Sequence, residues 1–294
     1  MGLLLKREIR VKQFGFINVD KPSGVTSSAI VNKLKWLSGV PCGHMGTLDP
    51  LASGVLPVGV GNATRLFDYF LQKQKTYIAE FTFGETADTL DCTGEVVRGG
   101  HVPNESEILA VLPQFIGEID QIPPKYSAKN VNGRRGYDLA RAGIEFELPA
   151  KRITVHGIEL LGKAEGKDNA YNFKIDCGGG TYIRSLARDI AFACGTQGLM
   201  SALRRTKSGI FTIENAINIE ELTEENIQAK VIPTDMVLPF SVLELTSPKK
   251  DKIFDGVAIP TDYPDGEYKF YRDGGFYGIA EVKNGRAKIK TKLC

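Results

Sequence analysis

One stretch of the chain, from Gly43 to Leu56, restricts the backbone more than any other part of the sequence. It reads GHMGTLDPLASGVL and holds three glycines, one proline, one histidine and one acid. Glycine permits backbone angles and close approaches that a side chain forbids. Pro50 disfavours the helical region for Asp49 and removes a backbone donor. The stretch therefore predicts a stiff, irregular loop that holds the Asp49 carboxylate in one direction, although Asp before Pro is also common in simple turns.

The composition, with 42% hydrophobic and 24% charged residues among 294, is that of an ordinary globular protein. The length suffices for one large core and a smaller domain. No apolar run approaches the length of a membrane span, and Leu3-Leu4-Leu5 is too short for a signal-peptide core, so we expect a cytoplasmic protein with no membrane contact. Five scattered cysteines and three distant histidines argue against a disulfide framework or a zinc site.

Hydrophobic periodicity predicts strands and short helices in alternation. Strands are predicted at 14–20, 54–61, 75–84, 153–161, 171–177 and 199–211, and helices after Thr26 and at 64–71, 106–115 and 182–194. Short strand-like runs with the hairpin turns Asp273-Gly274-Gly275 and Asn284-Gly285 follow from about residue 240. We therefore expect two domains, residues 1–235 and 236–294, of which the second is small and β-rich.

Positive charge concentrates between residues 121 and 141, where the local charge is +4 against +2 for the whole chain. Tyr126 and Tyr137 lie among the basic residues. Cations for phosphates with aromatic faces for unstacked bases are typical of RNA binding, although a solvated basic loop gives the same pattern. The basic residues of this segment are Lys125, Lys129, Arg134, Arg135 and Arg141, and a shorter basic cluster comprises Arg204, Arg205 and Lys207.

Arg184 follows three consecutive glycines, Gly178-Gly179-Gly180, at the predicted start of a helix. One interpretation is an ordinary arginine on a helix surface. The other is a partner that binds a buried carboxylate through a forked hydrogen bond and keeps it ionised.

Several motifs, in this order, resemble the bacterial TruB family, the tRNA pseudouridine-55 synthases. The resemblance covers about residues 14–235. It implies an α+β fold with a mixed, mainly antiparallel catalytic domain of the pseudouridine synthase type, a thumb insertion at about residues 121–152, and a PUA-like RNA-binding domain after the catalytic one. The motifs are the runs from Gly15 to Ser27, Gly43 to Leu56, Lys75 to Tyr77, Gln121 to Arg141, Gly179 to Leu186 and Leu203 to Thr206.

The resemblance also implies an activity, the isomerisation of uridine 55 in the T-arm (TΨC loop) of tRNAs to pseudouridine by base flipping and an essential aspartate. Asp49 matches that catalytic aspartate. Tyr77 matches a tyrosine that stacks on the target base, and Arg184 matches an arginine that pairs with the aspartate and lowers its pKa. Whether the aspartate attacks the sugar or abstracts a sugar proton stays open, since a carboxylate can do either.

Further residues take their expected roles from the same resemblance. His44 matches a histidine near the flipped nucleotide, and Lys21 supports the loop of the first motif. Tyr182, Ile183 and Leu203 match the wall of the substrate pocket. The five basic residues between 121 and 141 match the thumb that closes on the RNA. One departure is Ser127-Ala128-Lys129-Asn130, which places lysine one position earlier than the family's usual Ser-Ala-x-Lys.

We expect tRNA as the partner, no cofactor or metal, and a monomer. Two other function classes stay open on the residues alone. One is an RNA-binding or tRNA-folding protein that acts without catalysis through the same surface. The other is a carboxylate hydrolase such as a glycosidase, which requires a second acid beside Asp49, for which Asp88 or Asp91 is the candidate.

Overall fold

The computed structural model describes residues 14–127, 142, 144, 146–245, 247 and 250–294, and the backbone of two short strands between residues 130 and 135. The helices are α1 (Ser27–Ser38), α2 (Phe67–Leu71), α3 (Glu105–Val111), α4 (Ile183–Ala193) and α5 (Thr234–Val237). Short 3-10 helices are Gly61–Leu66, Leu112–Phe115, Ile213–Asn215, Ile219–Glu221, Ile227–Lys230 and Lys250–Asp255.

The strands fall into one large sheet and three smaller ones. In chain order they are β1 (Gly15–Lys21), β2 (Cys42–His44), β3 (Ser53–Val60), β4 (Lys75–Phe83), β5 (Glu85–Thr86), β6 (Val97–Arg98), β7 (Gly117–Gln121), β8 (Asn130–Val131), β9 (Arg134–Arg135), β10 (Lys151–Lys163), β11 (Ala170–Cys177), β12 (Gly198–Ser208), β13 (Phe211–Thr212), β14 (Ile217–Asn218), β15 (Ile232–Pro233), β16 (Ile259–Pro260), β17 (Gly266–Arg272), β18 (Gly275–Lys283) and β19 (Arg286–Lys292).

The large sheet runs in the order β14-β1-β3-β12-β4-β11-β10-β7, with β2, β13 and β15 paired to β3, β12 and β1. Its pairs are antiparallel except β1 with β14 and β3 with β12. The mixed, mainly antiparallel sheet that the sequence implies is therefore confirmed. Strand β12 lies between β3 and β4 although more than a hundred residues separate it from either.

The parallel pair β3–β12 depends on one glycine. Gly54 has a φ of +100°, and a Cβ at this position would lie 2.2 Å from the carbonyl oxygen of Arg205. A side chain at position 54 would therefore push β12 away from β3. This close approach brings the end of the Asp49 stretch against the last third of β12.

Helices α1 and α4 pack into the same hydrophobic core as the large sheet. Thr26 caps α1 by accepting a hydrogen bond from the Ala29 amide at 3.1 Å, and Gly39, with a φ of 72°, ends the helix. Both features confirm the helix predicted after Thr26. Its buried side chains include Ile30 and Leu34. No helix in the described part of the chain is long and apolar enough to cross a bilayer.

The C-terminal part forms its own antiparallel sheet, in the order β16-β19-β18-β17, which confirms the predicted β-rich module. Asp273 and Asn284 adopt positive φ in its two hairpin turns, as predicted. Ile279 and Leu293 share a hydrophobic cluster with residues of the large sheet. The domain boundary near residue 235 and the PUA-like character stay predictions.

Candidate active site

Asp49 lies in the loop between β2 and β3, and hydrogen bonds hold this loop on both sides of it. The Ser27 hydroxyl donates to the Leu48 carbonyl at 2.8 Å and accepts from the Leu48 amide at 2.9 Å. The Pro50 carbonyl accepts from the Gly24 amide at 2.8 Å. The loop is therefore fastened to the start of α1 and to the turn before it, as expected of a stiff loop. Gly43 and Gly54, at its ends, belong to β2 and β3.

Lys21 contributes a second fastening from the end of β1. Its side chain is fully buried, and Nζ donates to the carbonyls of Pro22 at 2.9 Å, Val25 at 2.6 Å and Pro50 at 3.3 Å. Burial lowers the pKa of Lys21 to about 8, although the nearby Asp49 carboxylate raises it. The ammonium thus joins the turn before α1 to the Asp49 loop, a geometry that suits the supporting role predicted for it.

The Asp49 carboxylate faces a cavity and is bound by Arg184 from α4. Arg184 Nε lies 3.0 Å from Asp49 Oδ2, and the Asp49 side chain keeps 39% exposure toward the cavity. Burial among surrounding protein atoms raises the pKa of Asp49 above its ordinary value. Arg184 lowers this pKa and the Asp91 carboxylate raises it. The predicted effect of Arg184 on the Asp49 pKa is therefore present, but burial outweighs it and the net shift is upward.

Arg184 also binds Asp91, a pairing that the sequence motifs did not predict. Arg184 Nη1 lies 3.3 Å from Asp91 Oδ2 and donates to the Thr89 carbonyl at 2.8 Å, while Nη2 donates to the Tyr126 carbonyl at 3.0 Å. Asp91 is itself buried, and its Oδ1 accepts from Thr89 Oγ1 at 2.9 Å and from the Thr93 amide at 3.0 Å. The Thr-x-Asp-x-Thr spacing is the local signal for such a fixed carboxylate.

A cavity of about 560 Å³ opens in front of Asp49. Six of the predicted site residues meet in its wall, namely Asp49, Tyr77, Tyr182, Ile183, Arg184 and Leu203. Burial raises the pKa values of the Tyr77 and Tyr182 phenols, so both phenols are uncharged at neutral pH. Among the described residues of this wall, Asp49 is the one carboxylate. The second acid that a glycosidase needs across the cavity is therefore missing from this part of the site.

His44 is not part of that wall. Its ring lies on β2 in edge contact with Phe67, with centroids 6.5 Å apart, and burial lowers its pKa. Its Nδ1 is buried without a hydrogen-bond partner among the described residues. The structure thus places His44 on the strand that leads to the Asp49 loop, outside the residues that line the cavity, and its place near the flipped nucleotide stays a prediction.

Two cations in the cavity wall were not predicted to belong there, Lys75 and Arg205. Arg205 is 1% exposed, so its assignment to a basic surface cluster is wrong. Arg204, in contrast, points to Asp20, with Nη2 at 2.8 Å from Oδ2. Alternation along β12 is the signal that could have found Arg205, because residues two apart on a strand share a face and Leu203 was already assigned to the pocket. Lys75 is buried as well, and burial lowers its pKa to about 8.

The basic residues of the predicted thumb lie only partly within the described residues. Lys125 is exposed and borders a second cavity, of about 750 Å³, with Tyr126 and Arg188. Arg134 and Arg135 form β9, which pairs with β8 in a short hairpin. Lys129 and Arg141 lie outside the described residues. Among the described residues, no group of three or more histidine, cysteine, aspartate or glutamate side chains could hold a metal ion.

Comparison with known proteins agrees with this geometry. Residues 35–183 match the model of the TruB family pseudouridylate synthase (N terminal domain), and residues 184–242 match the tRNA pseudouridylate synthase B C-terminal domain. The chain is 40% identical over 289 residues to tRNA pseudouridine synthase B of Clostridium kluyveri, across 94% of this chain and 98% of that protein. It is 44% identical over 232 residues to tRNA pseudouridine synthase B of Gluconobacter oxydans, across 78% of this chain and 69% of that protein.

Solved structures give the same result. A crystal structure of a Cbf5-Nop10-Gar1 complex matches with a TM-score of 0.71 and 27% identity, over 98% of this chain and 88% of that chain. The archaeal box H/ACA sRNP Nop10-Cbf5 complex matches with a TM-score of 0.68 and 25% identity, over 98% of this chain and 89% of that chain. The chain therefore belongs to the TruB family of pseudouridylate synthases.

Proposed function

We propose that the protein isomerises uridine 55 in the T-arm of tRNAs to pseudouridine, with Asp49 as the catalytic carboxylate. The observation that carries this proposal is the single carboxylate in the described cavity wall, which Arg184 orients at 3.0 Å toward a space of about 560 Å³. A cavity of this size accommodates a nucleoside. The curated relatives in Clostridium kluyveri and Gluconobacter oxydans are tRNA pseudouridine synthases, which supports tRNA as the substrate.

In the proposed reaction the uridine leaves its stack, at a cost of about a few kcal/mol, and enters the cavity beside Asp49. The bond between uracil N1 and ribose C1′ breaks, the base rotates, and a bond forms between uracil C5 and C1′. The proton on C5 is lost and N1 gains one. Asp49 acts either on the sugar carbon as a nucleophile or on a sugar proton as a base.

Both roles require an ionised Asp49, and the site sets two effects against each other. Burial raises the Asp49 pKa, while Arg184 lowers it. Arg184 also fixes the direction of the carboxylate, since its other nitrogens are held by Asp91, Thr89 and Tyr126. Tyr77 is positioned to stack on the base and to take part in the proton transfer, while Ile183 and Leu203 cover apolar surface of the nucleotide.

RNA binding involves regions outside the cavity. We infer that residues 121–152 act as a thumb whose cations contact the phosphates around the target loop. Residues 236–294 act as a PUA-like domain on the tRNA, and residues 1–235 are the catalytic domain. The protein works as a cytoplasmic monomer without a cofactor. The thumb cations are Lys125, Lys129, Arg134, Arg135 and Arg141.

The decisive experiment incubates the purified protein with a T-arm stem-loop and maps pseudouridine at every uridine. Wild-type protein is expected to modify position 55, and Asp49→Asn is expected to bind the stem-loop with a similar Kd but to form no pseudouridine. Modification at a different uridine would contradict the proposed position, and full activity of Asp49→Asn would contradict the role of the carboxylate. A tRNA-refolding assay with Asp49→Asn separates catalysis from an RNA-folding activity.

A further inference from the structure

Arg205 joins three elements that surround the cavity. Its Nε donates to the Val55 carbonyl at 2.7 Å on β3, and its Nη2 donates to the Gly46 carbonyl at 3.1 Å in the Asp49 loop. The guanidinium also lies beside Tyr77, the residue directly opposite Arg205 in the pairing of β12 with β4. Because the guanidinium is planar and its donors diverge at fixed angles, the Val55 and Gly46 carbonyls are fixed relative to one another and to the neighbouring Tyr77.

The surroundings of Arg205 are costly for a cation. The side chain is 1% exposed, and it lies near two other buried cations, Lys21 and Lys75, whose pKa values it lowers. Burial of an ion costs several kcal/mol unless its partners offset the loss of hydration, and most of the partners here are neutral carbonyls. A cation that repels its neighbours in this way is poorly explained by stability alone.

Arg205 also differs from Arg184 in what it touches. Arg184 binds the Asp49 carboxylate directly, whereas Arg205 reaches the phenol of Tyr77 and the backbone of Gly46, three residues before Asp49. Arg205 lines the cavity, but its observed donors are turned to protein carbonyls, so we expect its effect on the reaction to pass through Tyr77 or through the loop. In the proposed reaction the uracil rotates between Tyr77 and the Asp49 loop, so the distance between Tyr77 and this loop must stay fixed.

We propose that Arg205 is a positioning residue for the isomerisation, whose guanidinium holds the Gly46 end of the Asp49 loop at a fixed separation from the Tyr77 side chain beside it. This inference rests on the proposed function, since it gives Tyr77 and Asp49 their roles. It assigns Arg205 an effect on kcat through Tyr77, with no direct contact to the substrate.

The test compares wild-type protein with Arg205→Lys, and each of these with the same protein carrying Tyr77→Phe, on a T-arm stem-loop. Lysine keeps the buried charge but lacks the planar, diverging donors that bind the Val55 and Gly46 carbonyls together. We expect Arg205→Lys to lower kcat about 10- to 100-fold, as for a small misplacement of reacting groups, with KM changed by less than about twofold. In the Tyr77→Phe background the same change is expected to lower kcat by less than about threefold. Arg98→Lys, at an exposed arginine that pairs with Glu85 and lies outside the cavity wall, is the matched control and keeps the wild-type kcat.

Thermal unfolding of each variant separates positioning from folding, and Arg205→Gln, which keeps two donors without the charge, is the second variant. An unchanged kcat in Arg205→Lys would overturn the inference while leaving the proposed function intact. Equal losses with and without Tyr77→Phe, or failure of both variants to fold, would make Arg205 a structural residue and overturn it as well. Absence of pseudouridine at position 55 with wild-type protein would instead refute the proposed function itself.

Discussion

Asp91 offers a direct test of the charge network behind Asp49. Asp91→Asn keeps the shape of the side chain but removes a negative charge that lies 3.3 Å from Arg184. Two effects are expected. Arg184 loses one of its two anchoring carboxylates, so kcat falls roughly tenfold through misplacement of Asp49. The pKa of Asp49 also falls, because the Asp91 carboxylate is one of the groups that raise it.

The size of the pKa change follows from the geometry. Two carboxylates bound to one guanidinium lie roughly 7 Å apart, and unit charges at that distance repel by about 2 kcal/mol at an effective dielectric constant of about 20. The Asp49 side chain is 39% exposed, so solvent screening reduces the figure to about 1 kcal/mol. The acid limb of kcat/KM against pH is therefore expected to move to lower pH in Asp91→Asn.

The assay measures kcat/KM for pseudouridine formation in a T-arm stem-loop as a function of pH, since this profile reports the pKa values of the free enzyme. Asp88→Asn is the matched control, because Asp88 lies in the same loop but is exposed and its charge is screened. If Asp91→Asn and Asp88→Asn both retained the wild-type kcat and acid limb, Asp91 would have no role in the network. A loss of thermal stability without a shift of the acid limb would assign Asp91 to folding alone.

Three further predictions concern stability and Tyr77. The Lys21 pKa of about 8 lies below its ordinary value of 10.5, so between these two values the unfolded chain binds more protons and the free energy of unfolding rises with pH. Denaturant unfolding at pH 8 and 9.5 should show that Lys21→Met reduces this rise by about 1–2 kcal/mol. Equal rises in wild-type protein and Lys21→Met would refute the prediction. Gly54→Ala should destabilise the fold by at least about 3 kcal/mol in the same assay. Gly166→Ala, at a positive φ but with open space around it, should cost about 1 kcal/mol. Similar losses of stability in the two variants would contradict the crowding between Gly54 and β12. Tyr77→Phe should lower kcat. Tyr171→Phe removes a buried hydroxyl that donates to the Pro103 carbonyl at 3.0 Å, so it should cost about 1 kcal/mol of stability and leave kcat unchanged. A loss of kcat in Tyr171→Phe but not in Tyr77→Phe would contradict a role of Tyr77 in the reaction.

Local patterns in the sequence were sufficient to predict the main elements around the site. The alternation from Lys75 to Phe83 gives β4 because successive strand residues face opposite sides, and burial along the strand follows the alternation for most of its length. Thr26 and Gly39 delimit α1 because each supplies backbone chemistry that a helix end needs. These signals need no knowledge of distant contacts.

Local sequence patterns could not predict the order of the strands in the sheet or the charged residues behind the cavity wall. Arg205 enters the site because β12 lies between β3 and β4, a placement made by contacts more than a hundred residues apart. Asp91 meets Arg184 only when the loop after β5 folds over α4. The motif indicates that Arg184 lowers the Asp49 pKa, but not the net upward shift, because the desolvation that causes it is a property of the assembled structure.

The buried charges around the cavity are unequal, and the imbalance has a consequence for binding. Among the described residues, four cations stand against two carboxylates, which leaves an excess of two positive charges when both lysines are protonated. Such an excess of positive charge is unfavourable in the free protein. Burial, with the neighbouring Arg205 charge, lowers the pKa values of Lys21 and Lys75 to about 8. A nucleotide that brings its phosphates near the cavity offsets the excess and stabilises the protonated lysines. The site is therefore electrostatically prepared for an anionic polymer even though the whole chain carries a net charge of only +2. The charged residues of this set are Lys21, Lys75, Arg184, Arg205, Asp49 and Asp91.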